Sequence, residues 1–269
     1  MPFKPGVVYD LDEETYHASR DSLSSSGVKT ILSSPRRFRY ELAHPVEQTD
    51  AMKSGSYMHA LITGQDHPYV RKDWSLATTE GKARAAEAAQ LGLIPIPPAA
   101  YDAAEEMAGA ILGDRHAAEL LCEGEPEVSV YAVDETFGVN CRGRIDWWCP
   151  DHTMLDFKRV STADPSGPLQ RLMAQRGFAV QQEHYDGIVR ELGYRPEHFW
   201  FICVEPEPPY NVSVVELDGE SRAAGRAACL VAYETYRDCM ASDLWPTWRQ
   251  GDAPMTVTLP RWARGEVYA

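Results

Sequence analysis

The sequence has no stretch approaching the roughly 20 consecutive apolar residues that a membrane span requires, so no membrane association is expected. Between Met1 and Asp10 no apolar run follows Lys4, so a signal peptide is not indicated and a cytoplasmic location is expected. None of the six cysteines forms a CxxC pair, which argues against a zinc site or a redox pair and for reduced thiols. Internal repeats and low-complexity tracts are absent. Positive charge is scarce: 26 Lys and Arg stand against 40 Asp and Glu, for a net charge of −14. That balance argues against coating nucleic acid by overall charge. It leaves room for an enzyme with a local basic groove and a cluster of cation-holding carboxylates.

What is present is the composition of a folded protein, 44% hydrophobic and 25% charged. The 269 residues suit one large domain or two small ones. Residues 1–20 read as an extended arm, 21–250 as a single domain with a helical N-terminal part, and 251–269 as a tail. Ser24, Ser25 and Ser26 offer N-caps for a helix carrying Val28, Ile31 and Leu32, which Pro35 is expected to interrupt. A short helix over 55–62 carries His59. Ala-rich helices are expected over 80–91 and 98–121, joined by a Pro-rich turn at 95–98. Strands are expected over 128–133, 139–148 and 154–160, with a turn at Pro150-Asp151 between the last two. Helices over 168–175 and 178–192, strands over 198–204 and 212–217, and a helix over 221–240 complete the chain. This order suggests an α/β or α+β fold with a mixed central sheet flanked by helices.

Alternate residues of a strand share a face. Asp156 and Lys158 therefore point one way, and Leu155 and Phe157 the other. In the preceding strand Arg142, Arg144 and Asp146 alternate with Cys141, Gly143, Ile145 and Trp147. If these strands are hairpin neighbours, one sheet face carries Arg142, Arg144, Asp146, Asp156 and Lys158. So many charges on one patch are costly unless the patch is wet, paired or bound to metal. Two carboxylates beside a lysine suit Mg²⁺, which takes oxygen ligands, acidifies water and offsets charge on a phosphate. The lysine can orient or help deprotonate that water, or stabilise the transition state.

A D-x-K triplet alone fits a surface hairpin with ordinary salt bridges; the Arg-x-Asp strand directly before it favours an active site. Glu127 reads as a further ligand or as a solvated strand end. His59, among apolar helical residues, reads as a satisfied core histidine or as a ligand. Gln181 and Tyr185, four apart, share a helix face with Ile188, Val189 and Leu192, where a glutamine needs a hydrogen-bond partner. Arg36, Arg37 and Arg39 are the densest positive cluster, suited either to a DNA path or to a solvated helix end.

Read in order, several pieces form a recognisable series. They are Leu23-Ser24-Ser25-Ser26 with Ser34-Pro35, then Gly55-Ser56-Tyr57-Met58-His59-Ala60, Glu127 and Gly143-Arg144-Ile145-Asp146-Trp147. Asp156-Phe157-Lys158, the QxxxY helix from Gln181 to Tyr185, and Phe201 to Glu205 with Pro209-Tyr210 follow. From about residue 16 to about residue 240 the series resembles the nuclease domain of exodeoxyribonuclease VIII (RecE-like) in the PD-(D/E)xK superfamily. That superfamily also contains lambda exonuclease and RecB-type nucleases. Order and spacing carry the resemblance rather than any one motif. Two departures are Ile145 in place of the motif's proline and Asp156 in place of Glu.

The resemblance implies a restriction-endonuclease-like core. It implies that His59, Asp146, Asp156 and the Phe157 carbonyl bind metal, that Lys158 is the catalytic lysine, and that Glu127 supports the site. Gln181 and Tyr185 would contact DNA or brace the site, as would Arg142 and Arg144, with Arg36, Arg37 and Arg39 along the DNA path. The implied activity is a Mg²⁺-dependent exodeoxyribonuclease, with Mn²⁺ as a substitute, that resects double-stranded DNA ends 5′-to-3′ in phage-type recombination. A homo-oligomer and a single-strand annealing (RecT-like) partner go with it. The alternatives are a RecB-like or structure-specific nuclease with a different DNA entry, and an inactive PD-(D/E)xK module that binds DNA. Some RecB-type relatives hold a four-cysteine iron–sulfur cluster; the cysteine spacing here does not suit one, and none is expected.

Overall fold

Short polar side chains and prolines punctuate the N-terminal half. After the strand β1 (Gly6–Val8), Asp12 caps α1 (Glu13–Ala18) and Ser24 caps α2 (Ser25–Ser33). Pro35 does not simply break the chain. It occupies the first turn of α3 (Pro35–Ala43), where its missing N–H costs nothing, while Ser34 ends α2 and accepts from Arg37 N–H. Thr49 caps α4 (Asp50–Thr63), a longer helix than the apolar spacing predicts, and Gly64 ends it with φ +67°. The strand β2 (Tyr69–Arg71), the helix α5 (Thr79–Gln90) and the strand β3 (Ile94–Ile96) follow. The expected Pro-rich turn is thus partly strand: Pro95 sits in a two-stranded parallel ladder with Val70. The helix α6 (Pro98–Gly113) stops at Asp114, which caps α7 (Arg115–Leu120), so the long expected helix is two.

The computed structural model describes residues 3–44, 48–149, 152–247 and 254–258. The expected turn at Pro150-Asp151 and most of the expected tail lie outside them. No described helix is long and apolar enough to cross a membrane.

The second half builds the main sheet. Its strands are β4 (Glu125–Asp134), β5 (Val139–Trp148), β6 (Met154–Arg159), β7 (Phe199–Val204) and β8 (Val212–Val215). The helices α8 (Pro168–Gln175) and α9 (Phe178–Glu191) link β6 to β7, and α10 (Gly219–Ser242) closes the described core. The order is β1-β4-β5-β6-β7-β8. Every neighbouring pair is antiparallel except β6 with β7, so the six-stranded sheet is mixed. Residues 6–8 of the expected arm therefore form the sheet's edge.

Period-two patterning splits the core. Val128, Val130, Ile145, Phe201 and Cys203 meet Val28, Phe178, Tyr185, Ile188 and Tyr233, so α2, α9 and α10 cover one face. Leu155, Phe157, Ile202 and Val204 meet Tyr57, Met58, Met107 and Ile111, so α4 and α6 cover the other. Phe157 is 1% exposed; burying a side chain of that size stabilises by about 1.5–3 kcal/mol. Being sandwiched between the sheet and α10, α9 buries polar residues too. Glu183 is held by Arg222 at 2.9 Å and Arg226 at 3.0 Å. Gly225 lets α10 close on α9, since a Cβ there would stand 2.4 Å from the Ala179 carbonyl oxygen.

Candidate active site

The site begins with a defect in the sheet. The β5–β6 ladder consists of Trp147↔Leu155 and Trp148↔Met154, and beyond it the strands part at Asp146 and Asp156. On the other side of β5 the ladder with β4 runs through Pro126↔Trp147 and Val128↔Ile145 but skips Glu127 opposite Asp146. Glu127 has φ +52°, a left-handed backbone that non-glycine residues rarely adopt. Across this kink the strands exchange faces. Ile145 and Val128 pack with the α2–α9–α10 core, whereas Trp147 packs with the α4–α6 core.

Simple alternation through Asp146 therefore does not hold. Asp156 and Lys158 face α9 and Asp146 faces α4, and the gap between β5 and β6 brings them into one cleft rather than a shared sheet face. Parting would orphan the backbone of Phe157 on that side. Its N–H instead donates to Asp146 Oδ2 at 2.8 Å, and its carbonyl accepts from His59 Nε2 at 3.1 Å.

That last bond fixes which way the His59 ring faces. With Nε2 donating, Nδ1 is the atom turned to the carboxylates, 3.5 Å from Asp146 and 3.9 Å from Glu127. His59, Glu127 and Asp146 each offer one ligand atom, all within 4.8 Å of one another. The electrostatics are those of a site that wants a cation. Burial pushes the Asp146 carboxyl up to about 7, and the Asp156 and Glu127 charges add to the push. Burial opposes a charge on His59, but Asp146 and Glu127 outweigh it and raise the imidazole to about 9. For Glu127, burial is outweighed by His59 and by Arg144, whose Nε lies 2.6 Å away, and its carboxyl is lowered. Without metal, an imidazolium serves as the counter-ion of crowded carboxylates. One nitrogen and two carboxylates form a donor set that fits a divalent cation.

Asp156 is 1% exposed and stands outside that group of three. One of its oxygens pairs with Lys158 and the other accepts from Gln181 Nε2. Burial opposes the charge on Lys158, but Asp156 and Asp146 outweigh it and raise the ammonium above its ordinary value. Gln181 Oε1 accepts from Lys29 Nζ of α2 at 3.0 Å. Burial and then the Lys158 charge push the Lys29 ammonium down to about 8. Gln181 was expected to contact DNA or to brace the site; its partners here are Asp156 and Lys29.

Of the residues singled out from sequence, His59, Glu127, Arg142, Arg144, Asp146, Asp156, Lys158, Gln181 and Tyr185 all line one cleft of about 450 Å³. Glu127, expected to support the site, stands with His59 and Asp146 in the group of three, while Asp156 contacts Lys158 and Gln181 and the Phe157 carbonyl accepts from His59. Arg142 donates to the Ser19 and Ser22 carbonyls, and Arg144 to the Leu11 carbonyl at 2.8 Å. Both guanidinium groups lie 5.4 Å from the Tyr16 ring, so they pin the N-terminal segment over the cleft. Arg36, Arg37 and Arg39 do not line the cleft: Arg37 pairs with Glu41 at 2.7 Å and Arg39 lies over Trp245. Lys29 and Tyr16 were not singled out, and no spacing signal marks either; Lys29 sits between the buried Val28 and Ile31 without sharing their face.

Residues 24–252 match the model of a family described as a PDDEXK-like domain of unknown function (DUF3799), and the chain belongs to that family. Among solved structures, one described as a putative exonuclease from Eubacterium rectale superposes with a TM-score of 0.65 at 17% identity. The match covers 93% of this chain and 97% of that one and shows a shared fold. A second structure, SSO0001, reaches a TM-score of 0.35 at 14% identity over 81% of this chain and 80% of that one, and carries no argument. No curated protein matches the sequence.

Proposed function

We propose that this protein is a divalent-metal-dependent DNA nuclease, and specifically an exodeoxyribonuclease that shortens linear duplex DNA from its ends. One observation carries the reading: a His59–Glu127–Asp146 donor group and an Asp156–Lys158 pair open into the same cleft, on either side of the gap between β5 and β6. Family membership supports the nuclease class, and the description of the Eubacterium rectale protein supports the exonuclease reading.

In this reading His59, Glu127 and Asp146 hold the cation. A divalent ion there supplies Lewis acidity, offsetting charge on a phosphate and lowering the pKa of water it touches. Mg²⁺ is the expected ion and Mn²⁺ a substitute. Water attacks the phosphorus and gives up a proton to solvent, the bridging P–O bond breaks, and the leaving oxygen takes up a proton from solvent. Lys158, kept charged by Asp156 and Asp146, contributes as a hydrogen-bond donor and positive charge toward the phosphate rather than as a base. Arg144 steadies Glu127. The 5′-to-3′ direction, the homo-oligomer, the annealing partner and the cytoplasmic location follow from the sequence resemblance and remain part of the proposal.

The test is a nucleotide-release assay on linear, nicked and closed-circular duplexes with Mg²⁺, Mn²⁺ or a chelator. Metal-dependent release from linear DNA alone is expected. Cleavage of closed circles would replace the exonuclease reading with an endonuclease, and no cleavage under any divalent ion would remove the nuclease reading altogether.

A further inference from the structure

Lys29 is half-buried on α2 with its stem against Gly177, the residue that opens α9. It pairs with no carboxylate among the described residues; its ammonium donates to the side-chain carbonyl of Gln181 at 3.0 Å. The location is unfavourable for a cation. Burial opposes its charge, Lys158 depresses it by more than the nearby Asp156 offsets, and the N-terminal end of α9 carries positive partial charge. A leucine or methionine would fill the same seam without desolvating an ammonium. A purely structural role therefore does not explain a lysine here.

The hydrogen-bond chemistry does. An ammonium has donors only, an ionised carboxylate has acceptors only, and a primary amide has one end of each kind. Set between Lys29 and Asp156, the Gln181 amide has one orientation that satisfies both: oxygen to Lys29, nitrogen to Asp156. Without the lysine the amide oxygen loses its donor, and the bond to Asp156 alone is left to hold the side chain.

We propose that Lys29 is a positioning residue that locks the Gln181 amide, so that Asp156 keeps one oxygen on Gln181 and the other on Lys158. The consequence for rate rests on the nuclease reading above; the locking itself does not.

Two measurements on the full chain test this. Steady-state kinetics on linear duplex DNA with Mg²⁺ compare the wild type with Lys29→Met, Gln181→Ala and the double variant. Lys29→Met is expected to lower kcat about tenfold or more, since small misplacements are costly, with KM and melting temperature unchanged. In the Gln181→Ala background it should have no further effect. The second measurement is hydrogen exchange of the assigned Gln181 side-chain NH₂ by ¹⁵N NMR. Exchange should be slow in the wild type and fast in Lys29→Met. Lys29→Leu, which also lacks a donor, serves the same purpose if the methionine variant does not fold.

A rise in KM with kcat unchanged would make Lys29 a DNA contact and overturn the proposal. So would independent, multiplying effects of the two substitutions, or a Gln181 amide that exchanges equally slowly in both proteins. A wild type that cleaves nothing would remove the nuclease reading, and the amide exchange would still decide the locking.

Discussion

The carboxylate of Asp146 accepts the backbone N–H of Phe157 at 2.8 Å, across the gap where β5 and β6 part. One side chain thus does two things through the same oxygen, Oδ2: it replaces a lost ladder bond and faces His59 in the group of three with Glu127. These roles separate by substitution. Asp146→Asn keeps an oxygen acceptor for the N–H and removes the charge. It should abolish metal-dependent cleavage while the melting temperature of the metal-free protein holds or rises. Asp146→Ala leaves a buried N–H unpaired and should cost about 1–3 kcal/mol as well. Thermal denaturation with chelator, beside single-turnover assays, measures both. Equal melting temperatures for the two variants would show that the bond to Phe157 contributes nothing.

Lys158 is the counter-charge of a carboxylate that is 1% exposed. Lys158→Ala should lose at least about a hundredfold in rate, the scale of losing one electrostatic stabiliser. It should also lose stability, because Asp156 stays buried without its partner. Lys158→Arg should recover stability more than rate, since a guanidinium is wider and differently shaped at the phosphate. Divalent-ion binding, followed calorimetrically, should survive both. An arginine variant with full activity would mean that charge alone suffices.

Gly143 holds the ring of Tyr185. A Cβ at 143 would stand 2.8 Å from the ring's Cδ1 and 3.2 Å from Val130, inside a well-packed core. Gly143→Ala should destabilise by about 1–3 kcal/mol and displace Tyr185, which is both core and cleft wall. Tyr185→Phe keeps the packing and should melt normally. A lower rate in that variant would show that the hydroxyl works in the cleft, and an unchanged rate that the residue is core alone.

His184 supplies a pH dependence away from the ligand group. Its ring is fully buried, with Nε2 donating to the Arg142 carbonyl at 2.9 Å and Nδ1 accepting from the Tyr233 hydroxyl at 2.7 Å. Burial pushes the imidazole down to about 4 from an ordinary 6.5. The unfolded chain therefore takes up a proton at 6.5 that the folded chain refuses until about 4, so this contribution rises with pH across that window. It amounts to about 3 kcal/mol in full. Relative to His184→Gln, the wild type should gain stability between pH 4 and 6.5 and run parallel above it. Parallel curves throughout, from denaturant melts at several pH values, would mean that the histidine is not held neutral.

Alternation and end signals made the second half of the chain readable. The strands around Val128–Val133, Val139–Trp148 and Met154–Arg159 alternate or run apolar, and in the first half Ser24, one of the three expected caps, bounds α2. Asp146, Asp156 and Lys158 stood out because charges in such strands must have a use, and local pattern reports this well. The edge strand β1 and the helix α1 did not stand out, since three residues of strand or six of helix have too little periodicity; packing stabilises them.

The division of labour among the site residues depended on tertiary structure. The left-handed backbone at Glu127 and the parting of β5 from β6 placed Glu127 beside His59 and Asp146, and Asp156 beside Gln181 of α9. Lys29 reaches Gln181 across 152 positions of sequence. A period of two specifies which side of a strand a residue occupies only while the strand stays regular, and nothing in the residue order marks where that regularity fails. Which charges meet, and which are held apart, was settled by how the strands kink and how the helices pack on either face of the sheet.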